Sequence, residues 1–488
     1  MHRIVLVLQK IGAGRIGQSV ACKSGIAFVG HVGQVTRNFH LHKAIKGAIK
    51  RVSDETIFAL STAPARAALA VIRLSGAACD RALAALGVSV LPKPRHAALR
   101  ALTDPQTGAL LDEALVLRFE APHSFTGEAM AELHLHGGLA VIESALAALS
   151  AMSGLRAAEA GEFTRRAVLN GKMDLTAAEA IADLIDAEGG AQQKQALAQL
   201  RGGLRHRAEG WRERLKTVLA HLEADLEFAD EDLPGGIGQR ALNALPDLHD
   251  ELAAEVGDGR GLRLRDGVRI AFIGPPNAGK SSILNMLAGR AAAIVSARAG
   301  TTRDIIEVAM LLAGVPVTLI DTAGLRAAGD DIEREGVRRA VASAEEADIV
   351  VWVSAPDAPP LEEKILTQRL ADADLHIANK CDLAPIEEEG ALSLSAKTGA
   401  GQEALLVALQ ERVLKLTGSG ESAPVTRARH IAILRDVLAH MAAAQNADAL
   451  ELAAEDLRLA QRALGRMTGA VDVEQLLDVV FADFCIGK

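Results

Sequence analysis

The spacing of apolar residues changes character along the chain. Up to about residue 170, short apolar runs such as 68–72 and 132–135 predict β-strands within a mixed region. Residues 175–199 and 204–228 instead carry aliphatic side chains at three- and four-residue spacing, which predicts amphipathic helices. Pro-Gly-Gly at 234–236 ends this pattern, and a further helix is predicted up to about residue 260.

A second strand-like region follows, and helical spacing then returns. The apolar runs 268–273 and 315–320 each lead into a loop, which predicts strand tips with functional residues just beyond them. Gly-Ser-Gly at 418–420 is typical of a linker, and three helical stretches follow around residues 431, 450 and 473. The middle region is therefore predicted to be inserted between two helical halves that pack together and leave its ends adjacent.

These patterns predict a multidomain protein with α/β and all-α parts. A basic extension covers 1–51, an N-terminal α+β domain covers 52–170, and a helical domain combines 171–266 with 417–488. The inserted domain, with a doubly wound sheet, covers 267–416. A chain of 488 residues is too long for one core, and the abundance of alanine and leucine favours helices with aliphatic cores.

Composition narrows the class of protein. The formal net charge of −9 gives no global basic footprint, so any contact with nucleic acid is expected to be local or to come from a partner. Four scattered cysteines (Cys22, Cys79, Cys381 and Cys485) have neither metal-site nor disulfide spacing, which fits a reducing cytosol. No apolar stretch is long enough to span a bilayer. We therefore expect a cytoplasmic protein.

The most informative motif in the sequence is a glycine-containing loop at 274–281. Residues 274–281 read Gly-Pro-Pro-Asn-Ala-Gly-Lys-Ser between the apolar run 268–273 and a periodic segment, the context that a phosphate-binding loop requires. Its glycines let backbone N–H groups face the phosphates at the positive end of the following helix. Lys280 is expected to place its charge between the β- and γ-phosphates, and Ser281 to offer its hydroxyl to Mg²⁺.

Further motifs follow in series and indicate a guanine nucleotide; they lie at 300–304, 321–324, 379–382 and 395–397. Asp321 suits the magnesium shell, and Gly324 offers a backbone N–H to the γ-phosphate. Asp382 can accept hydrogen bonds from both N1–H and the exocyclic amine of guanine, a pair that adenine lacks. The stem of Lys380 can cover the ring face, while Ser-Ala-Lys at 395–397 lines the other side of the base.

The hydrolytic residue is not fixed by these motifs. Small signalling GTPases carry a water-orienting glutamine where this chain has Leu325, which cannot form a hydrogen bond. The next acidic candidates are Asp330, Asp331, Glu333 and Glu335. The chemistry does not choose among them, and a solvated helix start explains the same residues.

With these motifs placed, the chain from about Asp54 to its last residue resembles the tRNA uridine-5-carboxymethylaminomethyl modification GTPases of the MnmE (TrmE) family. The supporting segments lie outside the nucleotide motifs, at 124–128 (Ser-Phe-Thr-Gly-Glu), 135–138 (Leu-His-Gly-Gly), 161–164 (Gly-Glu-Phe-Thr), 169–175, 178–185 and the terminal 484–488 (Phe-Cys-Ile-Gly-Lys). Their combination is more specific than any single nucleotide motif.

The resemblance implies a potassium-activated GTP hydrolase. K⁺ would be held by Asn277, by carbonyls at Ser296 and Arg298, and by Thr301, where other GTPases use an arginine finger. Thr302 would join Ser281 on Mg²⁺, and Glu333 would orient the water beside Asp321 and Lys280. The GTP contacts expected from the motifs and the resemblance together are Asn277, Ala278, Gly279, Lys280, Ser281, Ser282, Ser296, Thr301, Thr302, Asp321, Thr322, Ala323, Gly324, Asn379, Lys380, Asp382, Ser395, Ala396 and Lys397.

The resemblance also implies that 52–170 binds folate and forms a dimer. The positions matching the family's contacts with 5-formyltetrahydrofolate or methylenetetrahydrofolate are Arg73, Glu132, Lys172 and Lys488, which are otherwise ordinary exposed charges. Arginine and lysine suit the carboxylates of the folate tail, and a carboxylate suits the amide-like edge of the pterin. Cys485 would lie close to this site, with its chemical role open.

The function implied is modification of the wobble uridine of certain tRNAs at C5. A homodimer would act with the flavoprotein MnmG (GidA) in a heterotetramer, and GTP hydrolysis would move the two nucleotide domains. The alternatives are a GTP-gated regulatory or ribosome-assembly switch, and a GTPase whose folate site has decayed.

Residues 1–51 carry nine Lys or Arg and no acidic residue. A targeting presequence and a nucleic-acid arm are two interpretations. We favour a third, an over-extended reading frame with the native start at Val52, because the resemblance begins only at about Asp54.

Overall fold

The computed structural model describes residues 55–227, 236–291, 306–321, 342, 344–358, 373–384, 390–418, 425–471, 477, 480–481, 484 and 486–487. The strands in these residues are β1 (Thr56–Leu60), β2 (Leu69–Ser75), β3 (Ala98–Thr103), β4 (Leu110–Phe119), β5 (Met130–His136), β6 (Leu155–Ala157), β7 (Val268–Ile273), β8 (Ile306–Leu312), β9 (Val315–Asp321), β10 (Ile349–Ser354), β11 (Leu375–Ala378) and β12 (Leu392–Ser393). The helices are α1 (Cys79–Ala85), α2 (Leu139–Ser150), α3 (Glu162–Leu169), α4 (Leu175–Asp186), α5 (Gly190–Leu200), α6 (Gly203–Glu227), α7 (Ile237–Leu242), α8 (Leu245–Gly257), α9 (Arg260–Asp266), α10 (Lys280–Ala291), α11 (Gln402–Thr417), α12 (Ala428–Gln445) and α13 (Leu450–Thr468).

The N-terminal region is built on a six-stranded sheet with the order β3-β4-β5-β2-β1-β6. Along β2, the alternation of a strand buries Ile72 and Leu74, which pack with Phe58 and Leu133 in the core. Arg73 lies between them in sequence and so on the opposite face, where the antiparallel register pairs it with Glu132 of β5. The strands predicted at 68–72 and 132–135 are thus confirmed, with the observed bounds 69–75 and 130–136.

The helical region has one core to which both halves contribute. Trp211 of α6 and Leu248 of α8 pack in the same cluster as Leu434 of α12 and Leu457 of α13. This shared core confirms that helices before and after the inserted region pack together. The stretch predicted as one helix over 175–199 is two helices, α4 and α5. The stretch up to residue 260 likewise contains the separate helices α7 and α8.

The inserted region contains a second six-stranded sheet, with the order β12-β11-β10-β7-β9-β8. Strands β7, β9, β10, β11 and β12 run parallel, and β8 is antiparallel to β9. Ile270, Phe272, Leu319 and Val351 fill its core together with Ile283 of α10. Because the carboxyl ends of parallel strands share one edge, the loops after β7 and β11 meet there, beside the tip of β9 at Asp321.

A joint of main-chain atoms connects α5 to the inserted region. The N–H of Ala191 donates to the carbonyl oxygen of Gly314 at 3.1 Å, in the turn between β8 and β9. A Cβ atom on Gly189 would lie 2.1 Å from the same oxygen, so only glycine fits there. The amide of Gln192 accepts from the N–H of Gly189 and donates to the carbonyl of Arg265 in α9 at 2.8 Å. This glycine contact also explains why the predicted helix is interrupted.

The end of the chain returns to the N-terminal region. Ile486 forms an antiparallel bridge with Ala160, and the hydroxyl of Ser61 donates to the carbonyl of Gly487 at 2.9 Å. Phe481 and Phe484 lie against the position where a Cβ on Gly161 would be, at 2.8 and 2.9 Å. The segments 161–164 and 484–488, which the sequence marked separately, therefore meet through their described residues.

Candidate functional site

The phosphate-binding loop passes so close to neighbouring backbone that two of its positions exclude side chains. Gly274 has φ 147°, and a Cβ there would lie 2.2 Å from the carbonyl oxygen of Val353. Gly279 has φ 91°, and a Cβ there would lie 2.3 Å from Nδ2 of Asn379. Asn277 also adopts a left-handed φ, 64°, which asparagine tolerates better than most residues. The loop therefore has the curled backbone that the sequence predicted.

Lys280 lies at the start of α10 with its ammonium group folded into the loop. Nζ donates to the carbonyl oxygens of Gly274 and Pro275 at 2.8 and 2.9 Å. Burial lowers the pKa of this lysine to about 8, although the nearby Asp321 carboxylate acts in the opposite direction. The two negative phosphates predicted beside it would restore a fully charged ammonium group.

Ser281 and Asp321 meet as expected for a magnesium site. The hydroxyl of Ser281 donates to Oδ2 of Asp321 at 2.5 Å, which joins the start of α10 to the end of β9. Asp321 is buried, with 2% of its surface exposed, so its carboxylate is held at the strand tip. A hydroxyl and a carboxylate are hard oxygen ligands of the kind that Mg²⁺ prefers, so these residues fit the ion.

The guanine motifs at 379–382 and 395–397 are joined to the phosphate-binding loop through Asn379. Its buried side chain donates from Nδ2 to the carbonyl of Ala278 at 2.8 Å and accepts at Oδ1 from the N–H of Ala396 at 3.2 Å. One amide therefore fixes the spacing between the two loops that would enclose the nucleotide. This is a structural task for a residue that sequence reasoning had placed only in a nucleotide motif.

Asp382, predicted to recognise the base, is exposed and bonded to the 395–397 motif. The hydroxyl of Ser395 donates to its Oδ1 at 2.6 Å, which leaves Oδ2 available to a ligand. That hydrogen bond is the main cause that lowers the pKa of Asp382, with the positive charges of Lys397 and Lys380 adding to it. The carboxylate is thus held ionised, as the acceptor that guanine N1–H and its exocyclic amine require.

Lys380 has a partner that sequence reasoning missed. Its Nζ donates to both carboxylate oxygens of Asp357, at 2.7 and 2.8 Å, and Asp357 lies in the turn after β10. No motif marks Asp357. The only available signal was its position shortly after an apolar run, like that of Asp321.

Several predicted site residues lie outside the described residues. They are Ser296, Arg298, Thr301, Thr302, Thr322, Ala323, Gly324, Leu325, Glu333, Cys485 and Lys488. The predicted roles of these residues in K⁺ binding, water activation and the folate site stay predictions. Of the remaining GTP residues, Ser282 is exposed on α10 and Lys397 is exposed beside Asp382.

Two of the residues predicted to bind folate are directly paired. Nε and Nη2 of Arg73 donate to Oε1 of Glu132 at 3.1 and 2.9 Å. The guanidinium lies 5.5 Å from the ring centre of Phe125 and 5.9 Å from that of Phe163. Both side chains of the pair are largely buried, with 24% and 16% exposed, so neither is an ordinary surface charge.

A buried ionic network joins the two sequence segments that supply these phenylalanines. Oε2 of Glu128, in the 124–128 segment, accepts from Ser75 at 2.7 Å and from Arg166 at 3.0 Å. Arg166 also donates to Glu162, in the 161–164 segment, at 2.9 Å.

Lys172, a third residue predicted to bind folate, is exposed, and its Nζ donates to the carbonyl oxygen of Pro122 at 2.9 Å.

The described residues contain neither a cluster of metal ligands nor a helix suited to a membrane. No group of three or more histidine, cysteine, aspartate or glutamate residues is arranged to hold a metal ion in this part of the chain. None of the helices in the described residues combines the length and apolar character that a membrane crossing needs.

Comparisons with known proteins agree with this architecture. The family model described as MnmE helical domain matches residues 175–485, and the one described as GTP-binding protein TrmE N-terminus matches 56–172. A tRNA modification GTPase MnmE from Parvibaculum lavamentivorans is 53% identical over 440 residues, covering 89% of this chain and 100% of that protein. The protein of the same name from Gluconacetobacter diazotrophicus is 52% identical, covering 88% of this chain and 98% of that protein. The chain therefore belongs to the MnmE (TrmE) family of tRNA modification GTPases.

Proposed function

We propose that this chain is a cytoplasmic, K⁺- and Mg²⁺-dependent GTP hydrolase that modifies C5 of the wobble uridine in certain tRNAs. It would act with a flavoprotein partner and take a one-carbon unit from a tetrahydrofolate. The observation that carries the proposal is the assembled nucleotide site, with Ser281 on Asp321 and Ser395 on Asp382, in a chain about half identical to tRNA modification GTPases over nearly their whole length.

In the nucleotide site, the chain's own residues bind and orient the substrate. Backbone N–H groups of the loop and the start of α10 face the phosphates, and Lys280 exchanges its carbonyl partners for phosphate oxygens. Ser281 and Asp321 would hold Mg²⁺, which, when bound, neutralises charge on the phosphates. Asp382 fixes the base, so the γ-phosphate is placed at the same point in each binding event.

For potassium, the support is the conformation of Asn277 together with the family resemblance. Its left-handed φ of 64° places a residue with an oxygen-bearing side chain at the tip of the phosphate-binding loop. Asn277, Ser296, Arg298 and Thr301 would hold the ion, which supplies positive charge where hydrolysis develops negative charge. Glu333 would orient the attacking water.

For folate, the pairing of Arg73 with Glu132 refines the expected roles. Because Arg73 already binds Oε1 of Glu132 in two hydrogen bonds, its role in this arrangement is to orient that carboxylate. Oε2 of Glu132, which lies 3.4 Å from Nε2 of His134, is then the acceptor for N–H groups on the pterin edge. Lys172 and Lys488 are left to bind the carboxylates of the folate tail.

Two contacts between regions support a conformational relay between the nucleotide site and the folate site. The turn after β8 touches α5 through Gly314, and the chain end returns to the N-terminal region at Ala160 and Ser61. In the proposed homodimer, and in its heterotetramer with MnmG, movement of the inserted domain on GTP hydrolysis would reach the modification site by this route.

The test is nucleoside analysis of tRNA from a strain that lacks this gene, with the full-length chain restored as wild type or with Glu132→Gln. We expect the C5-modified wobble nucleosides to vanish on deletion, to return with wild type and to stay absent with the variant. Isothermal titration of 5-formyltetrahydrofolate into both purified proteins checks the site directly. Unaltered tRNA accompanied by a ribosome-assembly defect would replace the proposal with a regulatory switch. Wild-type protein that restores the nucleosides without binding folate would remove the folate step.

A further inference from the structure

Lys380, which is expected to cover the guanine ring, is held at both ends. Its backbone has φ 64°, a left-handed conformation that fixes the direction in which the side chain leaves. At the far end, Nζ donates to both oxygens of Asp357, at 2.7 and 2.8 Å. Between these points, Cε lies 4.0 Å from the position of a Cβ on Gly279, so the stem runs along the phosphate-binding loop.

This arrangement fixes the course of the lysine side chain along the phosphate-binding loop before a nucleotide arrives. A free lysine side chain occupies many rotamers, and covering a base would restrict it to one of them. An ion pair that already selects the extended form lowers this entropic cost of binding. Lys380 is 25% exposed and Asp357 is 51% exposed, so a modest contribution is expected rather than a large one.

We propose that Asp357 is a positioning residue for guanine nucleotides, which keeps the stem of Lys380 extended along the face of the base and thereby slows nucleotide release. Asp357 acts through Lys380 and does not itself touch the nucleotide. The inference concerns the nucleotide site alone and is independent of K⁺, folate and tRNA.

The negative charge of Asp357 makes the direction of the change in nucleotide release informative. If Asp357 acted only as a negative charge near the anionic phosphates, its removal would strengthen nucleotide binding. If it acts by extending Lys380, its removal weakens binding in spite of the more favourable charge. The two effects therefore predict opposite changes in the release rate.

The experiment measures release of a fluorescent GDP analogue from the full-length protein, chased with unlabelled GDP in a stopped-flow instrument. D357N should release the analogue about two to five times faster than wild type, as expected for a half-exposed pair. K380M keeps a stem of similar length without the ammonium group. In the K380M background, D357N should change the release rate no further, which is the signature of action through the lysine.

Glu346→Gln is the matched control. Glu346 is 73% exposed and forms a 3.8 Å ion pair with Arg269 at the start of β7, the end of that strand opposite the phosphate-binding loop. The variant therefore removes the same charge from the same domain, away from the base. Its release rate should equal that of wild type. Release that is unchanged or slower in D357N overturns the inference. Acceleration by D357N that is equally large in the K380M background also overturns it.

Discussion

The hydroxyl of Ser281 donates a 2.5 Å hydrogen bond to the buried carboxylate of Asp321, 40 residues further along the chain. This contact joins the start of α10 to the tip of β9, the two elements proposed to hold Mg²⁺. Ser281→Ala removes both the hydrogen bond and a magnesium ligand. We expect GTP hydrolysis to fall on the order of tenfold or more, with a higher Mg²⁺ requirement, in a titration of the steady-state rate with Mg²⁺.

Ser281→Thr is the matched variant, since phosphate-binding loops accept either hydroxyl residue at this position. It should retain most of the activity and the wild-type Mg²⁺ requirement. A Ser281→Ala protein with an unaltered magnesium titration would contradict the role assigned to the pair.

Lys280 gives a prediction about pH. Its pKa of about 8 without nucleotide rises when phosphates bind, so the bound state holds the proton more tightly than the free state. Nucleotide affinity should therefore be constant below about pH 7, about twofold lower at about pH 8 and several-fold lower by about pH 8.8. Calorimetric titration of GDP over this range checks the profile. Lys280→Arg, which does not titrate there, should bind more weakly but without the pH dependence; a parallel slope in both proteins would assign the effect to another group.

Asp382 should determine base selectivity. In Asp382→Asn the side chain can place an amide N–H towards guanine N1–H, so a hydrogen bond becomes a donor–donor clash. We expect GTP affinity to fall on the order of a hundredfold, and xanthosine triphosphate, which carries an oxygen in place of the amine, to bind better than GTP. Competition between the two nucleotides measures the ratio. An undiminished preference for GTP would refute the assignment.

At Asn277, two variants can test separately the contribution of the backbone conformation and that of the side-chain oxygen. Asn277→Gly tolerates the φ of 64° but lacks the amide oxygen, whereas Asn277→Asp keeps an oxygen ligand. We expect the stimulation of GTP hydrolysis by K⁺ over Na⁺ to be lost in the glycine variant and kept in the aspartate variant. Loss in both, or in neither, would be inconsistent with a side-chain ligand.

Glu179 should contribute strongly to the stability of the helical region. It is buried, with Oε1 and Oε2 accepting from Arg429 at 2.5 and 2.7 Å and Oε2 from His430 at 3.0 Å. Glu179→Gln leaves Arg429 without its counter-charge and should cost about 3–5 kcal/mol at pH 7. Differential scanning calorimetry of the full-length chain measures the unfolding of the helical region. Glu455→Gln, on the exposed surface of α13, should change the free energy of unfolding by less than about 0.5 kcal/mol.

The pairing of Glu179 with Arg429 also predicts the direction in which stability changes at low pH. Burial alone would raise the pKa of Glu179, but the hydrogen bonds from Arg429 outweigh it, so the folded-state pKa lies well below the usual 4.5. A depressed carboxyl pKa stabilises the fold above the unfolded value and loses that contribution as pH falls below it. The stability difference between wild type and Glu179→Gln should therefore narrow below about pH 4.5. A difference that widens on acidification would contradict this pairing.

The sequence predicted residues whose chemistry is encoded locally. Lys280, Ser281, Asp321 and Asp382 stand in short motifs because a phosphate or a base is bound by residues that follow one another on a loop. The fold class was predictable for a similar reason, because the spacing of apolar residues changes at each domain boundary. The fold class is confirmed, and the side chains of Ser281 and Asp321 lie in contact, while the binding roles of these four residues stay predictions.

Contacts between distant residues were not predictable in this way. Glu179 and Arg429 are separated by 250 positions, and neither stands in a pattern that names the other. Asp357 is an acidic residue after a strand, indistinguishable in sequence from a solvated turn. Arg73 and Glu132 were placed at one site by resemblance, but their direct pairing depends on the register of β2 with β5.

The meeting of Gly189 with the carbonyl of Gly314 has a mechanical consequence. Neither partner has a side chain that could rotate to absorb a displacement of the β8–β9 turn. A shift of about 1 Å must therefore either carry α5 along as a rigid body or break the Ala191 hydrogen bond altogether. Displacement of the β8–β9 turn is therefore passed to α5 directly, from main chain to main chain.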